Sequence, residues 1–259
     1  MGYRGYLIDL DGTLFRGDRV ISGGLAFVKE LERRGLPYLY LTNNSSRLPE
    51  QTAQKLRNLG YPAKAEQVVS SAQATAAHLK KELGTPAVMV FGQEGLKHAL
   101  REAGFPFQEE NPEAVVIGID PEFNYDKMKS AALAIRGGAR FYGTNGDRVL
   151  PTDEGLVPGN GSLCAAVAAA AGVEPIFIGK PERPILNYGL ERLGRPPDET
   201  LIVGDNLMTD IQAGINGGMD TLLVFTGVTT AEEYQRSSIR ATYTVQDLTE
   251  WDFSRGGVG

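Results

Sequence analysis

The chain has a single cysteine, Cys164, in 259 residues, so no intramolecular disulfide is open to it. Histidine is scarce too: the two present, His78 and His98, fall on helical stretches away from any zinc-ligand spacing, and surface or packing roles are expected for both. No apolar run approaches the length of a membrane span, and the N-terminus enters a strand without a basic region and apolar signal core. A cytoplasmic protein with no membrane partner is the expectation. Basic charge is in deficit, with 26 lysines and arginines against 32 acids. The resulting −6 argues against a general nucleic-acid binder, yet it excludes little about small anionic substrates. What remains is globular, 42% hydrophobic and 22% charged, and long enough for one large domain or two modest ones.

Against that background the stretch Tyr6-Leu7-Ile8-Asp9-Leu10-Asp11-Gly12-Thr13 stands out, because an apolar run ends abruptly in two carboxylates, a glycine and a hydroxyl. Tyr6 to Leu10 reads as a short buried strand. If its extended geometry continues, Asp9 and Asp11 project to the same side. Two adjacent carboxylates repel and ask for a cation, a shared proton or a cationic side chain; magnesium suits all-oxygen ligands.

Further along, Leu25, Val28 and Leu31 keep helical spacing until Arg33-Arg34-Gly35, and Pro37 to Leu41 reads as a second strand ending in Thr42-Asn43-Asn44. Strand, helix, strand with polar ends on the same side of the alternation is a βαβ pattern, which favours a parallel sheet with a site at its carboxyl edge. The middle third carries its own alternation, with strands near 87–91, 114–119 and 140–143 and helices near 94–103, 125–135 and 162–171. In the last third, apolar strands again run straight into polar ends. Ile176-Phe177-Ile178 leads to Lys180-Pro181, and Leu201-Ile202-Val203 leads to Gly204-Asp205, with a helix from Asp210. Each segment also has an ordinary reading. Lys180 could sit in a solvated loop, Thr42 and Asn43 could cap a turn, and Asp210 could be a helix N-terminal charge favoured by the dipole. Four such strand ends in one chain are harder to dismiss.

The sequence resembles the haloacid dehalogenase-like (HAD) hydrolase superfamily, whose motifs match Asp9-Leu10-Asp11-Gly12-Thr13, Thr42-Asn43, Lys180-Pro181, and Gly204-Asp205 with Thr209-Asp210. Within it, Thr42-Asn43-Asn44-Ser45, the run from Gly143-Thr144-Asn145 through Pro158-Gly159-Asn160-Gly161-Ser162, and Phe225-Thr226-Gly227-Val228 are similar to the NagD and para-nitrophenylphosphatase-like subfamily. The resemblance implies an α/β fold: a Rossmann-like parallel-sheet core over 1–74 and 179–259, with an inserted α/β cap of the C2 (IIA) type over 75–178. It implies a magnesium-dependent phosphatase acting on small phosphate monoesters through an aspartyl phosphate. A phosphotransferase or phosphomutase on the same core, and a catalytically silent phosphometabolite-binding protein, are the alternatives.

Carried over residue by residue, the resemblance implies that Asp9 attacks phosphorus and Asp11 serves as acid and then base. Thr42, Asn43, Asn44 and Lys180 hold the phosphate, with Lys180 also orienting Asp9. Mg2+ sits on Asp9, the Asp11 carbonyl and Asp205, supported by Asp210. A metal-bound carboxylate stays ionised while its neighbour is free to carry a proton, so the division of labour is physically sensible. Asn145, Asp147, Arg148 and Leu150 of the cap are the candidates for contacting the leaving group. Related pyridoxal-phosphate phosphatases carry a histidine where Leu150 aligns, which disfavours that substrate and leaves phosphoglycolate, sugar or polyol phosphates and nucleoside monophosphates open. The expected partner is a small phosphorylated metabolite, with a homo-oligomer, if any, formed through the cap.

Overall fold

The computed structural model describes residues 2–152 and 154–255. In chain order these form β1 (Gly5–Ile8), β2 (Phe15–Arg16), β3 (Arg19–Val20), α1 (Gly24–Arg34), β4 (Tyr38–Thr42), α2 (Pro49–Asn58), β5 (Val68–Ser70) and α3 (Ser71–Leu83). Then come β6 (Val88–Phe91), α4 (Glu94–Glu102), β7 (Ala114–Ile117), α5 (Tyr125–Arg136), β8 (Arg140–Gly143), β9 (Val149–Thr152), β10 (Gly155–Pro158) and α6 (Asn160–Ala171). The chain closes with β11 (Ile176–Phe177), α7 (Arg183–Leu193), β12 (Thr200–Gly204), α8 (Gln212–Gly217), β13 (Asp220–Val224), α9 (Ala231–Arg236) and β14 (Tyr243–Val245). Contacts gather it into two compact units: Met1–Thr42, Pro49–Val69 and Lys180–Gly259 make the first, Asn43–Leu48 and Ser70–Gly179 the second.

The first unit is built on a six-stranded sheet in the order β14-β13-β12-β1-β4-β5. Strands β1, β4 and β12 are buried along their whole length, which explains why they read as continuous apolar runs instead of alternating ones. β1 pairs in parallel with both β12 and β4, with Ile8 level with Val203 on one side and Tyr40 on the other. From β1 the chain fills the sheet towards β4 and β5 and later returns to add β12, β13 and β14 on the other side. β1 is therefore the point where strand order reverses, and the crevice beyond the carboxyl ends of such strands is where Rossmann-like sheets place their ligands. Helix α1 stops as its sequence indicates: Arg33 and Arg34 occupy the last turn, and Gly35 takes a left-handed φ of 66°.

The second unit carries a four-stranded sheet, β11-β8-β7-β6, whose neighbouring strands also pair in parallel. Met89, Val115 and Ile117 from its strands pack with Ala131 and Ile135 of α5 and Cys164, Val167 and Ala168 of α6. Cys164 is fully buried, and that burial pushes its thiol up to about 12, as expected of an inert packing residue. Helix α3 begins with a reciprocal cap in which Ser70 Oγ accepts the Gln73 N–H at 3.3 Å and the Ser70 N–H donates to Gln73 Oε1 at 3.0 Å. Two local features add to the sequence reading. Val149–Thr152 and Gly155–Pro158 pair antiparallel, a short and mostly exposed pair of the kind that tolerates Pro151 and Pro158. His78 also has an acidic partner one helical turn on, Glu82, at 3.1 Å.

Candidate active site

The first unit brings Asp9, Thr42, Lys180, Asp205 and Asp210 to the carboxyl edge of its sheet. β1 delivers Asp9, whose N–H still donates to Val203 O at 2.9 Å as though the strand continued. The chain then turns at once: the N–H groups of Thr13, Leu14 and Phe15 all point at Leu10 O, and the Gly12 N–H donates to Phe15 O. Gly12 takes a φ of +89°, and a Cβ there would run into the Asp205 carboxylate, so glycine is required twice over. Asp11 stays exposed at this turn, near enough for its charge to raise the Asp9 pKa. Thr42 closes β4 and is buried.

Lys180 is 3% exposed and gives its protons to three named acceptors: Asp9 Oδ1 at 2.5 Å, Asp210 Oδ1 at 2.6 Å and Leu41 O at 3.3 Å. Burial pulls the ammonium down, but the charges of Asp210 and Asp9 outweigh it and hold its pKa above the ordinary lysine value. Lys180 is thus a buried, permanently charged tie between two carboxylates. Asp210 takes its other bond from the Asn206 N–H at 3.1 Å. It reaches this position in one wide turn over Leu207–Ile211, with α8 starting only at Gln212; the sequence reading starts that helix at Asp210 itself.

Asp205 follows β12 and is 2% exposed. Its Oδ2 accepts the Val228 N–H at 2.6 Å and its backbone carbonyl accepts the Thr229 N–H at 3.1 Å. The loop that supplies these donors is tied down in turn, because Thr226 Oγ1 donates to Gly12 O at 2.7 Å. Gly227 lies so close to the Asp205 carboxylate that no side chain fits there. Thr13 Oγ1 lies 3.4 Å from Asp9 Oδ2 and 3.3 Å from Asp205 Oδ1, and its single proton can serve only one of them at a time. Thr13 and the 226–229 loop hold Asp205 by contacts that the sequence reading did not assign. The Phe225-Thr226-Gly227-Val228 run is a visible signal, but its role depends on a loop of the chain closing over Asp205.

Asp9, Asp205 and Asp210 each offer one carboxylate oxygen, all within 4.8 Å of one another. With Lys180 as the counter-charge in this group, three carboxylates and one ammonium are held almost out of water. Burial first, and then the neighbouring Asp9 charge, push Asp205 up to about 8 and Asp210 up to about 6; burial also raises Asp9. An oxygen-only donor set with uncompensated negative charge fits a hard divalent cation, which would relieve the repulsion that raises these values.

The other sequence candidates lie in the second unit. Asn43 O accepts from Ser71 Oγ at 2.6 Å and from Asn145 Nδ2 at 2.9 Å, while Asn43 Nδ2 donates to Asp147 Oδ2 at 3.1 Å. Asn145 is 5% exposed, and its Oδ1 accepts the Asp147 N–H at 3.1 Å. Asn160, at the start of α6, donates to Asn145 O at 2.9 Å, so a chain of buried amides leads from α6 to Asn43. Asn44 is exposed, with its Oδ1 accepting from the Ser46 N–H and hydroxyl at 2.8 Å. Arg148 is exposed and Leu150 half-buried on the β9–β10 hairpin. Of the cap candidates, Asn145 is therefore a brace within the loop, whereas Arg148 is available to a small molecule.

Comparison with known proteins sharpens the picture. A family model described as haloacid dehalogenase-like hydrolase matches residues 6–106, and one described as HAD-hydrolase-like matches residues 177–251. The 5'-nucleotidase YutF of Bacillus subtilis (strain 168) is 49% identical over 249 residues, covering 96% of this chain and 97% of that protein. An acid sugar phosphatase of Staphylococcus aureus is 45% identical, with 96% of each chain covered. Among solved structures, a double mutant of a thermostable NPPase from Geobacillus stearothermophilus superposes with a TM-score of 0.93 at 47% identity, covering 98% of this chain and 100% of that one. A 4-nitrophenylphosphatase from Thermotoga maritima gives 0.92 at 34% identity over 96% and 95% of the two chains.

Proposed function

The chain belongs to the haloacid dehalogenase-like hydrolases, in the NagD and p-nitrophenylphosphatase-like subfamily, and from that premise we propose that it hydrolyses small phosphate monoesters through an aspartyl phosphate on Asp9. The observation that carries this reading is the buried Asp9–Lys180–Asp210 tie with Asp205 beside it. Lys180 counters the rise that burial imposes on Asp9 and fixes one of its oxygens, leaving the carboxylate oriented for attack. Attack by an Asp9 oxygen forms the new P–O bond as the ester P–O bond breaks, and Asp11 gives its proton to the departing oxygen. Water then attacks the acyl phosphate, Asp11 takes back a proton, and inorganic phosphate leaves. Asp11 suits the exchange because it is exposed at the turn, where a proton can come and go. Thr42, Asn43 and Asn44 are our candidates for holding phosphoryl oxygens. Asp9, the Asp11 carbonyl and Asp205 would hold Mg2+, with Asp210 supporting them. The ion supplies charge neutralisation for the phosphoryl group.

Relatives named for a 5'-nucleotidase and an acid sugar phosphatase bring nucleoside monophosphates and sugar phosphates to the front of a substrate screen. We further propose that 75–178 acts as the cap over the core, with Asp147, Arg148 and Leu150 shaping the pocket, and that the protein works in the cytoplasm. Among the described residues, no helix is long and apolar enough to cross a membrane. The test is turnover of p-nitrophenyl phosphate with and without a chelator, beside Asp9→Asn. Loss of turnover in both arms is expected, together with inorganic phosphate equal to the ester consumed. Undiminished turnover by Asp9→Asn would sink the nucleophile assignment, and phosphate appearing on a second hydroxyl compound would favour a transferase.

A further inference from the structure

We infer that Thr226 is a positioning residue: its hydroxyl ties the turn after β1 to the loop that holds Asp205, and so sets how tightly the site binds magnesium. The inference rests on the magnesium seat proposed above, in which the Asp11 carbonyl and the Asp205 carboxylate come from different strands. β1 and β12 are paired as far as Ile8 and Val203, and the Asp9 N–H on Val203 O at 2.9 Å carries that pairing one residue further. Both ligands lie past this point, so their spacing depends on bonds other than the strand ladder. The 226–229 loop supplies such bonds. It leaves β13, which lies two places from β1 with β12 between them, a step of about 10 Å at ordinary strand spacing. Near the end of β12 it gives Asp205 Oδ2 the Val228 N–H at 2.6 Å and Asp205 O the Thr229 N–H at 3.1 Å. At its start, Thr226 Oγ1 reaches the β1 turn and donates to Gly12 O at 2.7 Å.

This bond bears on the Asp11 carbonyl through the two peptide planes that meet at Gly12. The first plane, which contains the Asp11 carbonyl, has its N–H on Phe15 O at 2.7 Å. The second has its N–H, from Thr13, on Leu10 O at 3.3 Å and its carbonyl on Thr226. Each plane is rigid, so a bond at one edge fixes the direction of the other. Gly12 joins the planes at a φ of +89° without a Cβ to restrict their relative rotation, which makes the bond from outside the turn matter more. The loop and the turn hold each other, since Arg16 Nη2 donates back to Thr226 O at 2.7 Å. The far end of the loop is anchored as well, with buried Thr229 accepting the Leu207 N–H on its Oγ1 at 3.0 Å. Because the Thr226 hydroxyl binds a backbone carbonyl, its removal leaves Asp9, Asp11, Lys180 and Asp205 chemically intact and acts on their spacing. Tyr61 offers the contrast: its hydroxyl holds the same turn at Leu14 O, at 2.5 Å, from the connection between α2 and β5 instead of from the loop that binds Asp205.

Calorimetric titration of magnesium into the full chain, stripped with chelator and free of substrate, tests this beside initial rates. Thr226→Val keeps the shape and removes the hydroxyl; magnesium binding at least about tenfold weaker is expected, as for other groups that orient metal ligands. The rate at saturating magnesium should stay within about threefold of the parent, because the reacting groups are untouched. Thr226→Ser should restore most of the lost affinity, and Tyr61→Phe should lower the unfolding temperature without weakening magnesium binding. Unchanged affinity in Thr226→Val overturns the inference. So does an equal loss in Tyr61→Phe, which would make Thr226 one general support of the turn among several. Should Thr226→Val not fold, Arg16→Met removes the reciprocal bond from an exposed position, and unchanged magnesium affinity there overturns the inference in its place. A parent that binds no magnesium overturns the proposed seat and this inference together. A parent that binds magnesium but releases no phosphate from any ester refutes the hydrolase alone, and the affinities of the variants still decide the role of Thr226.

Discussion

Replacing Lys180 by Met tests the centre of the proposed site most severely, because the side chain is nearly isosteric and only the charge and its bonds are lost. Lys180 lies 2.5 Å from Asp9 and 2.6 Å from Asp210. At an effective dielectric of about 20, each pair contributes raw attraction on the order of 6 kcal/mol. The net effect is smaller, since the ammonium's own desolvation is recovered; breaking a buried ion pair from one side costs about 3–5 kcal/mol. One escape lowers that figure. Asp210 is pushed up to about 6 even with the ammonium beside it; without Lys180 it rises further and takes a proton readily at pH 7, so the lower end of the range applies. With each kcal/mol shifting the midpoint of a chain this size by about 2–4 °C, the loss comes to roughly 10 °C. Turnover of p-nitrophenyl phosphate should fall at least about 10²-fold, because Asp9 loses both its orienting bond and its counter-charge. Thermal unfolding in the presence of a chelator gives the first quantity and initial rates with magnesium give the second. A midpoint within about 2 °C of the parent would refute the claim that Lys180 balances buried charge, and retained turnover would refute its role at Asp9.

Gly227→Ala should separate Asp205 from its loop: a Cβ there collides with the carboxylate, so about 1–3 kcal/mol of stability and most of the activity are expected to go, measurable by unfolding and by magnesium titration of the rate. Activity unchanged over the whole titration would remove the 226–229 loop from the site. Asn145→Ala removes the bond to Asn43 O at 2.9 Å, and the expected result is a lower kcat with the fold retained and partial rescue by Asn145→Gln; equal stability and equal kinetics would reduce the amide chain to ordinary packing. Glu82 supplies a pH test away from the site. Burial raises its pKa, but the Tyr142 hydroxyl, Arg140 and His78 outweigh it and hold the carboxyl below its ordinary 4.5. A depressed carboxylate contributes stability above that ordinary value and loses it as pH falls through the folded one. Glu82→Gln should therefore cost under about 1 kcal/mol at neutral pH and meet the parent curve in acid, whereas parallel curves throughout would contradict the assignment.

The elements proposed to carry chemistry stand out in the sequence because each is a local break in a hydrophobic pattern. Asp9, Thr42 and Asp205 follow strands buried on both faces, where a polar residue is conspicuous against apolar neighbours, and the order in which those strands enter the sheet brings their ends to one edge. What was not legible is how their charges are balanced. Asp210 reads equally well as a helix-dipole charge, and only the wide turn over Leu207–Ile211 aims it at Lys180 instead. Thr13 and Val228 act on Asp205 from 192 and 23 positions away in sequence, a separation that no local period encodes. The same limit applies to α6. Its alanines identify a helix with little preference for either side, and which side is left uncovered depends on where α5 lies. Periodicity and strand ends therefore locate the groups proposed to react, while the protonation state of Asp9, on which the proposed attack depends, is set by partners that only the closed sheet assembles. An assay that changes a partner and leaves Asp9 itself intact, as Lys180→Met does, reaches the part of the site that the sequence alone leaves open.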